Sequence, residues 1–328
     1  MKIAFSENLL PPQAILLTCS SHEIRCRGLL SRLGAWRPVG TIIFHYDDKN
    51  PKREENHRAM EADLRAMFVE PIELQFTEGN AVKSLHDNMS MLRHVLASLK
   101  DAFVILDISV FTKRHLLMIL RWLDDEGYWD RLTIVYSEPE DYDVSQYIPL
   151  SFGLKSLQQI PGFSACPDLS RPVHLVLFLG YEGDRALAVY EHVEPMHTTL
   201  VIPHPPYQPS WIGRTEKFNS DLLAVVGKEF AEKVDSADPD ATRAALTKIL
   251  GDSNKRGQYA KIISPLGTKP QTFGIYSYIR ECADSPALLY ASPLRHNHGF
   301  FSHGVGNTWI LKQPLNYATT NTARQIPS

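Results

Sequence analysis

Short apolar runs bounded by polar turns alternate with stretches whose apolar residues recur at helical spacing, the pattern of strands joined by crossover helices. Ala14 to Cys19 reads as a buried strand, and Ile24, Leu29, Leu30 and Leu33 behind it predict a helix. Thr41 to Phe44 is the next strand, followed by helical pattern from Glu54 to Met67, a strand near Ile72 to Phe76 and a helix from Ala81 to Leu99. Phe103 to Leu106 is a further strand, then a polar turn through Thr112 and Lys113, a helix carrying Leu116, Leu117, Leu120 and Leu123, and a strand at Leu132 to Val135. A stretch rich in Gly, Pro and Ser from Pro161 to Pro172 ends this half.

The scheme then restarts. Val173 to Leu179 is a strand, and a helix follows through Ala188, Val189 and Val193. Thr199 to Ile202 is a strand, Asn219 to Val234 and Asp240 to Leu250 read as helical, and Ala260 to Ile263 is a strand. The turn from Ser264 to Pro270 opens a helix through Phe273, Ile275, Tyr278 and Ile279, and Leu288-Leu289 leads into Tyr290. The predicted fold class is therefore α/β, two tandem Rossmann-like domains with mainly parallel sheets. The boundaries fall at 1–168 for the first, 169–312 for the second and 313–328 for a polar tail.

The two halves match in order. Glu23 and Thr112 are 89 positions apart, Glu182 and Thr268 are 86; Thr112 and Tyr136 are 24 apart, Thr268 and Tyr290 are 22. Tyr136-Ser-Glu-Pro139 then matches Tyr290-Ala-Ser-Pro293, and Ser151-Phe-Gly-Leu154 matches Ser302-His-Gly-Val305. Such agreement predicts an internal duplication, with the arginine of the first turn, Arg25 against Arg185, offset by one residue.

Composition narrows the partners. At 328 residues, 44% hydrophobic and 22% charged, the chain has the make-up of a globular protein with room for two cores. A formal charge of −3 argues against duplex nucleic acid as a partner, because no global basic field exists to hold the phosphate backbone. Lys52-Arg53 and Lys255-Arg256 read as solvated surface. Four cysteines without CxxC spacing, no apolar leader and no membrane-length apolar run predict a cytoplasmic protein without a membrane partner.

In open parallel sheets ligands sit beyond the carboxyl ends of the strands, where helix N-termini favour negative charge. The Thr-Lys turns, Thr112-Lys113 and Thr268-Lys269, fall at such places. There a threonine either caps its helix or donates to a phosphate, and the lysine beside it is a mobile point charge. Gly267 permits close backbone approach, Ser20, Ser21 and Gly180 offer amides, and Glu182, Asp184 and Arg185 suit either ribose positioning or an internal salt bridge. No GxxxxGK[ST], GxGxxG or GxSxG motif is present, and Cys19 reads as a core thiol. The histidines His296, His298 and His303 have no carboxylate at a metal-ligand spacing, so neither a metal nor a cofactor is expected.

At Ser264-Pro-Leu-Gly-Thr-Lys269 with its following helix, the chain resembles the Gly-Thr-Lys turn of CRISPR-associated Rossmann-fold (CARF) domains. The first copy departs from that pattern, with Phe111 in place of the glycine. The resemblance implies a pocket for a cyclic oligonucleotide, usually cyclic oligoadenylate, lined by Gly180, Glu182, Asp184, Arg185, Gly267, Thr268 and Lys269 and by Ser20, Ser21, Glu23, Ser109, Thr112 and Lys113. CARF domains generally place such a ligand on a dimer axis, and a duplicated chain supplies a pseudo-two-fold axis of its own.

Three functional expectations follow: a nucleotide or cyclic-oligonucleotide sensor in a prokaryotic defence or stress pathway, acting through a separate effector protein; a metal-independent ring-nuclease-like phosphodiesterase; or a non-enzymatic scaffold subunit. In the last, aromatic segments such as Pro205 to Trp211 and Phe300-Phe301 would be contact surfaces.

Overall fold

A computed structural model describes residues 2–77, 81–99, 101–142, 150–163, 170–251, 258–282, 284–296 and 302–311. The chain is α/β, and its two main sheets follow one plan. In the first half, β2 (Ala14–Cys19), β3 (Gly40–Tyr46), β4 (Pro71–Phe76), β5 (Phe103–Asp107) and β6 (Leu132–Ser137) lie parallel in the order β6-β5-β2-β3-β4. In the second, β9 (Val173–Phe178), β10 (His197–Pro203), β11 (Ala231–Val234), β12 (Ala260–Pro265) and β13 (Ala287–His296) repeat that order as β13-β12-β9-β10-β11. Crossovers use α1 (Pro51–Ala66), α2 (Ala81–Ser98) and α3 (Lys113–Asp125), then α4 (Gly183–Val193), α5 (Arg214–Phe218), α6 (Ser220–Val226), α7 (Pro239–Leu250) and α8 (Lys269–Glu281).

The apolar runs read from the sequence become these strands because they are buried on both faces; all six residues of β2 are buried. Two expected helices are different. The segment from Ile24 to Leu33 forms two short 3-10 turns, since Arg25 and Cys26 turn inward while Ile24 faces solvent, out of step with an α-helical stripe. The stretch predicted helical to Val234 stops at Val226, where Gly227 at φ 101° breaks the helix and lets β11 join the sheet beside β10.

The halves exchange strands at their ends. β8 (Ser151–Gln159), from the first half of the sequence, runs antiparallel to β13 at the edge of the second sheet. β15 (Thr308–Leu311), from the end of the chain, runs antiparallel to β6 in the first sheet and carries β1 (Lys2–Ala4) outside it. The registers agree in detail. Tyr136 pairs with Trp309 and Tyr290 with Gln158. Six residues further on, Tyr142 of β7 (Asp141–Tyr142) pairs with Ser302 of β14 (Ser302–His303), and His296 pairs with Ser151. Gly153 and Gly304 stand at the same place in the two exchanged segments, each at φ 62°, a left-handed backbone that glycine adopts without strain. Two sheets of similar size on one plan, with matched registers, suggest duplication.

One core joins the halves. Leu116, Leu120 and Trp129 share a buried cluster with Phe273, Tyr276 and Ile263, built where α3 packs on α8. A smaller cluster around Leu175, Leu177, Val189 and Leu200 fills the other face of the second sheet. No helix among the described residues is long and apolar enough to cross a membrane.

Candidate functional site

Each sheet reverses its winding between its first strand and the strand beside it, β2 next to β5 and β9 next to β12. The crevice outside the carboxyl ends at such a reversal is where α/β sheets accommodate ligands. Here the two crevices face each other and merge into one cavity of about 230 Å³. Its wall includes Ser20, Ser21, Glu23, Thr112 and Lys113 from the first half and Gly180, Glu182, Arg185, Gly267, Thr268 and Lys269 from the second.

Two expected residues are absent from that wall. Ser109 is fully buried, its hydroxyl bonded to Asp107 Oδ1 and accepting from the Ser137 amide at 2.8 Å, so it stitches β5 to β6. Asp184 faces the exchanged strand, where it accepts from the Gly153 amide at 3.0 Å.

The turn threonines are helix caps. Thr112 Oγ1 accepts from the His115 amide at 3.4 Å and contacts His115 Nδ1 at 2.7 Å. Thr268 Oγ1 accepts from the Gln271 amide at 3.2 Å and donates to Ser236 O, while Gln271 Oε1 accepts from the Thr268 amide at 3.0 Å. Gly267 leaves the room that this capping side chain occupies, and Gly180 lets the first turn of the second half approach Leu266 O; a Cβ there would stand 2.6 Å from that oxygen.

The lysines each reach toward the opposite half. Lys113 Nζ donates to Leu266 O at 2.9 Å. Lys269 Nζ has no hydrogen-bond or ion-pair partner among the described residues, and the charges that act on it most are those of Arg25 and Glu23 in the first half. Burial, then the neighbouring Arg25, brings Lys269 down to about 7; burial, opposed in part by Glu182, brings Lys113 down to about 8.

Each half also sets a buried Glu-Arg pair against the cavity. Arg25 grips Glu23 through two bonds of 2.9 and 3.0 Å and reaches Ser137 O at 3.4 Å. Arg185 pairs with Glu182 at 3.1 Å and donates to Ala291 O at 2.9 Å, the carbonyl in register with Ser137 O. Burial alone would raise the Glu23 carboxyl, but Arg25, Lys269 and the Ser302 hydroxyl that donates to it bring it down to about 2. A third pair, Arg53 with Asp48 at 2.5 Å, closes one side. Arg53 thus belongs to the wall and not to the solvated surface expected for Lys52-Arg53, because the N-cap Asn50 starts α1 in a phase that turns Arg53 inward.

With these three pairs internally balanced, Lys113 and Lys269 are the cations left to face a ligand. Around them stand Tyr136, Tyr142, Tyr181, Tyr207 and Trp211, with ring centroids 5.0 Å apart for Tyr142 and Trp211 and 5.9 Å apart for Tyr136 and Tyr207. Of the segment expected as a protein contact surface, Pro206, Tyr207 and Trp211 line the cavity, and Trp211 is only 2% exposed. Phe300-Phe301, His298, Lys255-Arg256 and the polar tail lie outside the described residues. Sequence reasoning did not select Arg25 or this aromatic ring as site residues. Arg25 was in view as the partner of Arg185 in the repeat, whereas nothing local marks five aromatics from four separated segments as one cage.

No protein-family model matches the chain, and no curated protein matches it in sequence. Among solved structures it is similar to a type III CRISPR defence DNA nuclease activated by cyclic oligoadenylate, with a TM-score of 0.53, 11% identity, 85% of this chain covered and 65% of that one. The chain therefore spans just under two thirds of that neighbour, and at this identity the likeness is one of fold. The cytoplasmic domain of a prokaryotic cation chloride cotransporter overlaps with a TM-score of only 0.26 at 9% identity, over 88% of this chain and 99% of that one, too weak to carry an argument.

Proposed function

We propose that this chain is a CARF-like sensor that binds a nucleotide bearing at least two phosphates, a cyclic oligoadenylate being the leading class, in the cavity between its halves. The two units, 1–168 and 169–312, would act as the two halves of one pseudo-symmetric receptor. The observation that carries the reading is Lys113 and Lys269, brought from equivalent turns into one aromatic-lined cavity whose other charges are already paired. Two cations held partly uncharged by burial gain most from a partner with two negative groups, and tyrosine and tryptophan faces suit the stacking of bases. The similarity in fold to a nuclease that cyclic oligoadenylate activates is consistent with this. A separate protein in a defence pathway would carry the output.

Thermal shift against cyclic and linear oligoadenylates of graded size tests the proposal. Stabilisation by one class, lost in a Lys113→Met/Lys269→Met double variant, is the expected result. No shift with any member at concentrations well above micromolar excludes it.

One observation favours a second reading. Lys269 lies near neutrality with no hydrogen-bond partner among the described residues, and a group in that state is suited to proton transfer at a phosphodiester. If the ligand is cleaved, chromatography shows product with wild type and slower turnover with Lys269→Ala; an unchanged rate removes Lys269 from any such chemistry.

A further inference from the structure

Beside the cavity, on the outer side of the first sheet, three ligand-type side chains converge. His57 and Glu61 are one turn apart on α1, and Glu73 projects from the edge strand β4. One donor atom from each lies within 4.8 Å of the other two. His57 Nε2 and Glu73 Oε2 are 3.2 Å apart. Two ligand atoms each about 2.0 Å from a tetrahedral zinc ion stand roughly 3.3 Å apart, so this pair already spans one edge of such a site. The two carboxylates carry charge −2, of which Arg65 offsets one at Glu61, so a divalent cation meets net negative charge at the site.

We infer that His57, Glu61 and Glu73 form a binding site for a divalent transition-metal ion such as zinc or manganese. The remaining ring nitrogen supports the assignment. His57 Nδ1 lies 3.0 Å from the hydroxyl of Ser20, which is fully buried and stands in the cavity wall. A ligating histidine is ordinarily fixed by a hydrogen bond at its other nitrogen, and Ser20 fills that position. With a metal on Nε2, the proton belongs on Nδ1 and is donated to Ser20 Oγ, freeing the serine O–H to donate elsewhere. Without metal, a neutral ring that donates through Nε2 to Glu73 accepts the serine proton at Nδ1 instead. Metal occupancy and the hydrogen-bonding character of one cavity-wall residue are thereby linked through a single imidazole. Arg65 bridges Glu61 and Glu70, 3.1 Å from each, so a metal would share the Glu61 carboxylate with it.

The site does not depend on what the cavity binds, and its test uses metal alone. The full-length protein, stripped with chelator and titrated calorimetrically with Zn²⁺ and Mn²⁺, is expected to take up one equivalent of at least one of them. Glu73→Gln, at a half-exposed position, and His57→Gln should each weaken that binding by at least roughly tenfold, the size that losing even an outer-shell partner brings. Glu55→Gln, an exposed residue of α1 outside the cluster, should bind as wild type. Ser20→Ala should keep the stoichiometry and lose affinity about tenfold. With Co²⁺, wild type should develop visible d–d absorption that His57→Gln lacks. Failure of wild type to bind any of these ions, or equal binding by wild type, His57→Gln and Glu73→Gln, overturns the assignment.

Discussion

Asp124 and Arg280 are each the twelfth residue of their helix, α3 and α8, and they pair with each other, Arg280 Nε and Nη2 lying 2.6 and 3.0 Å from the Asp124 carboxylate. Were the halves copies of one unit, such equivalent positions would meet only near the axis relating them. In a symmetric homodimer such a residue would face its own copy, like against like. A single chain with two diverged copies can place opposite charges there. Tyr276 donates to the same carboxylate at 2.8 Å, and Arg280 stacks 4.1 Å above the Trp129 ring.

This arrangement predicts a rescue. Asp124→Arg and Arg280→Asp alone should each destabilise the fold by about 1 kcal/mol, by setting like charges together at a partly exposed contact. The double exchange should recover about 1 kcal/mol of coupling in a urea-unfolding cycle. A double variant no more stable than the sum of the singles would show that the two charges are not coupled.

The exchanged strands predict an asymmetry. Ser302 and Ser151 are equivalent by register, but only Ser302 is bonded to a buried carboxylate, that of Glu23; Ser151 Oγ is buried without a partner among the described residues. Ser302→Ala should cost about 1.5–3 kcal/mol, the range for a hydrogen bond to a charged group. Ser151→Ala should leave stability unchanged or raise it, because it removes an unsatisfied hydroxyl. Chemical unfolding of the two variants side by side decides this.

Lys269 predicts a trade between stability and binding. Its folded value near 7 lies below the ordinary 10.5, so between those limits the unfolded chain holds the extra proton and stability rises with pH. Below about pH 7 the buried charge weighs fully on the fold. Lys269→Met should therefore be more stable than wild type at pH 6, by about 1–3 kcal/mol, the cost of an unpartnered buried polar group. The difference should fade toward pH 10. Melting temperatures measured across that range check the sign; a variant less stable than wild type at pH 6 refutes it.

Ligand binding should carry the opposite signature. A phosphate beside Lys269 and Lys113 restores their protons, so binding takes up protons above about pH 7 and affinity falls as pH rises. The slope should reach up to roughly tenfold per pH unit for each proton taken up. Calorimetry in buffers of different ionisation enthalpy measures that uptake directly, and a pH-independent affinity between 7 and 9 would remove the lysines from the site.

Much of the first-order plan was legible from the chain. Apolar runs such as Ala14 to Cys19 and Phe103 to Leu106 can be buried only as central strands, and Thr-Lys before an apolar helical stripe marks a capped helix start on the ligand side of a sheet. The exchanged strands were not legible. β8 reads Ser-Phe-Gly-Leu-Lys-Ser-Leu-Gln-Gln, with half its residues polar, and edge strands are held by backbone bonds that leave little trace in side-chain pattern. The buried state of Arg25 was hidden for a related reason, since whether a Glu-Arg pair is solvated or enclosed depends on what folds over it. Glu23 and Arg25 are two residues apart, but their enclosure comes from Tyr136, Ser137 and Ser302, more than a hundred positions away.

The sequence alone thus determined most of the elements, their alternation and the recurrence of a Thr-Lys turn at matching intervals, because these follow from local periodicity, capping and burial on a strand. Only the tertiary structure decided that the two turns open into one cavity, that each lysine lies against the other half, and that a histidine and two glutamates meet beside it. Those relations arise when two sheets pack through α3 and α8 and trade their last strands, and the free energy that selects such a packing is spread over contacts between residues far apart in the chain.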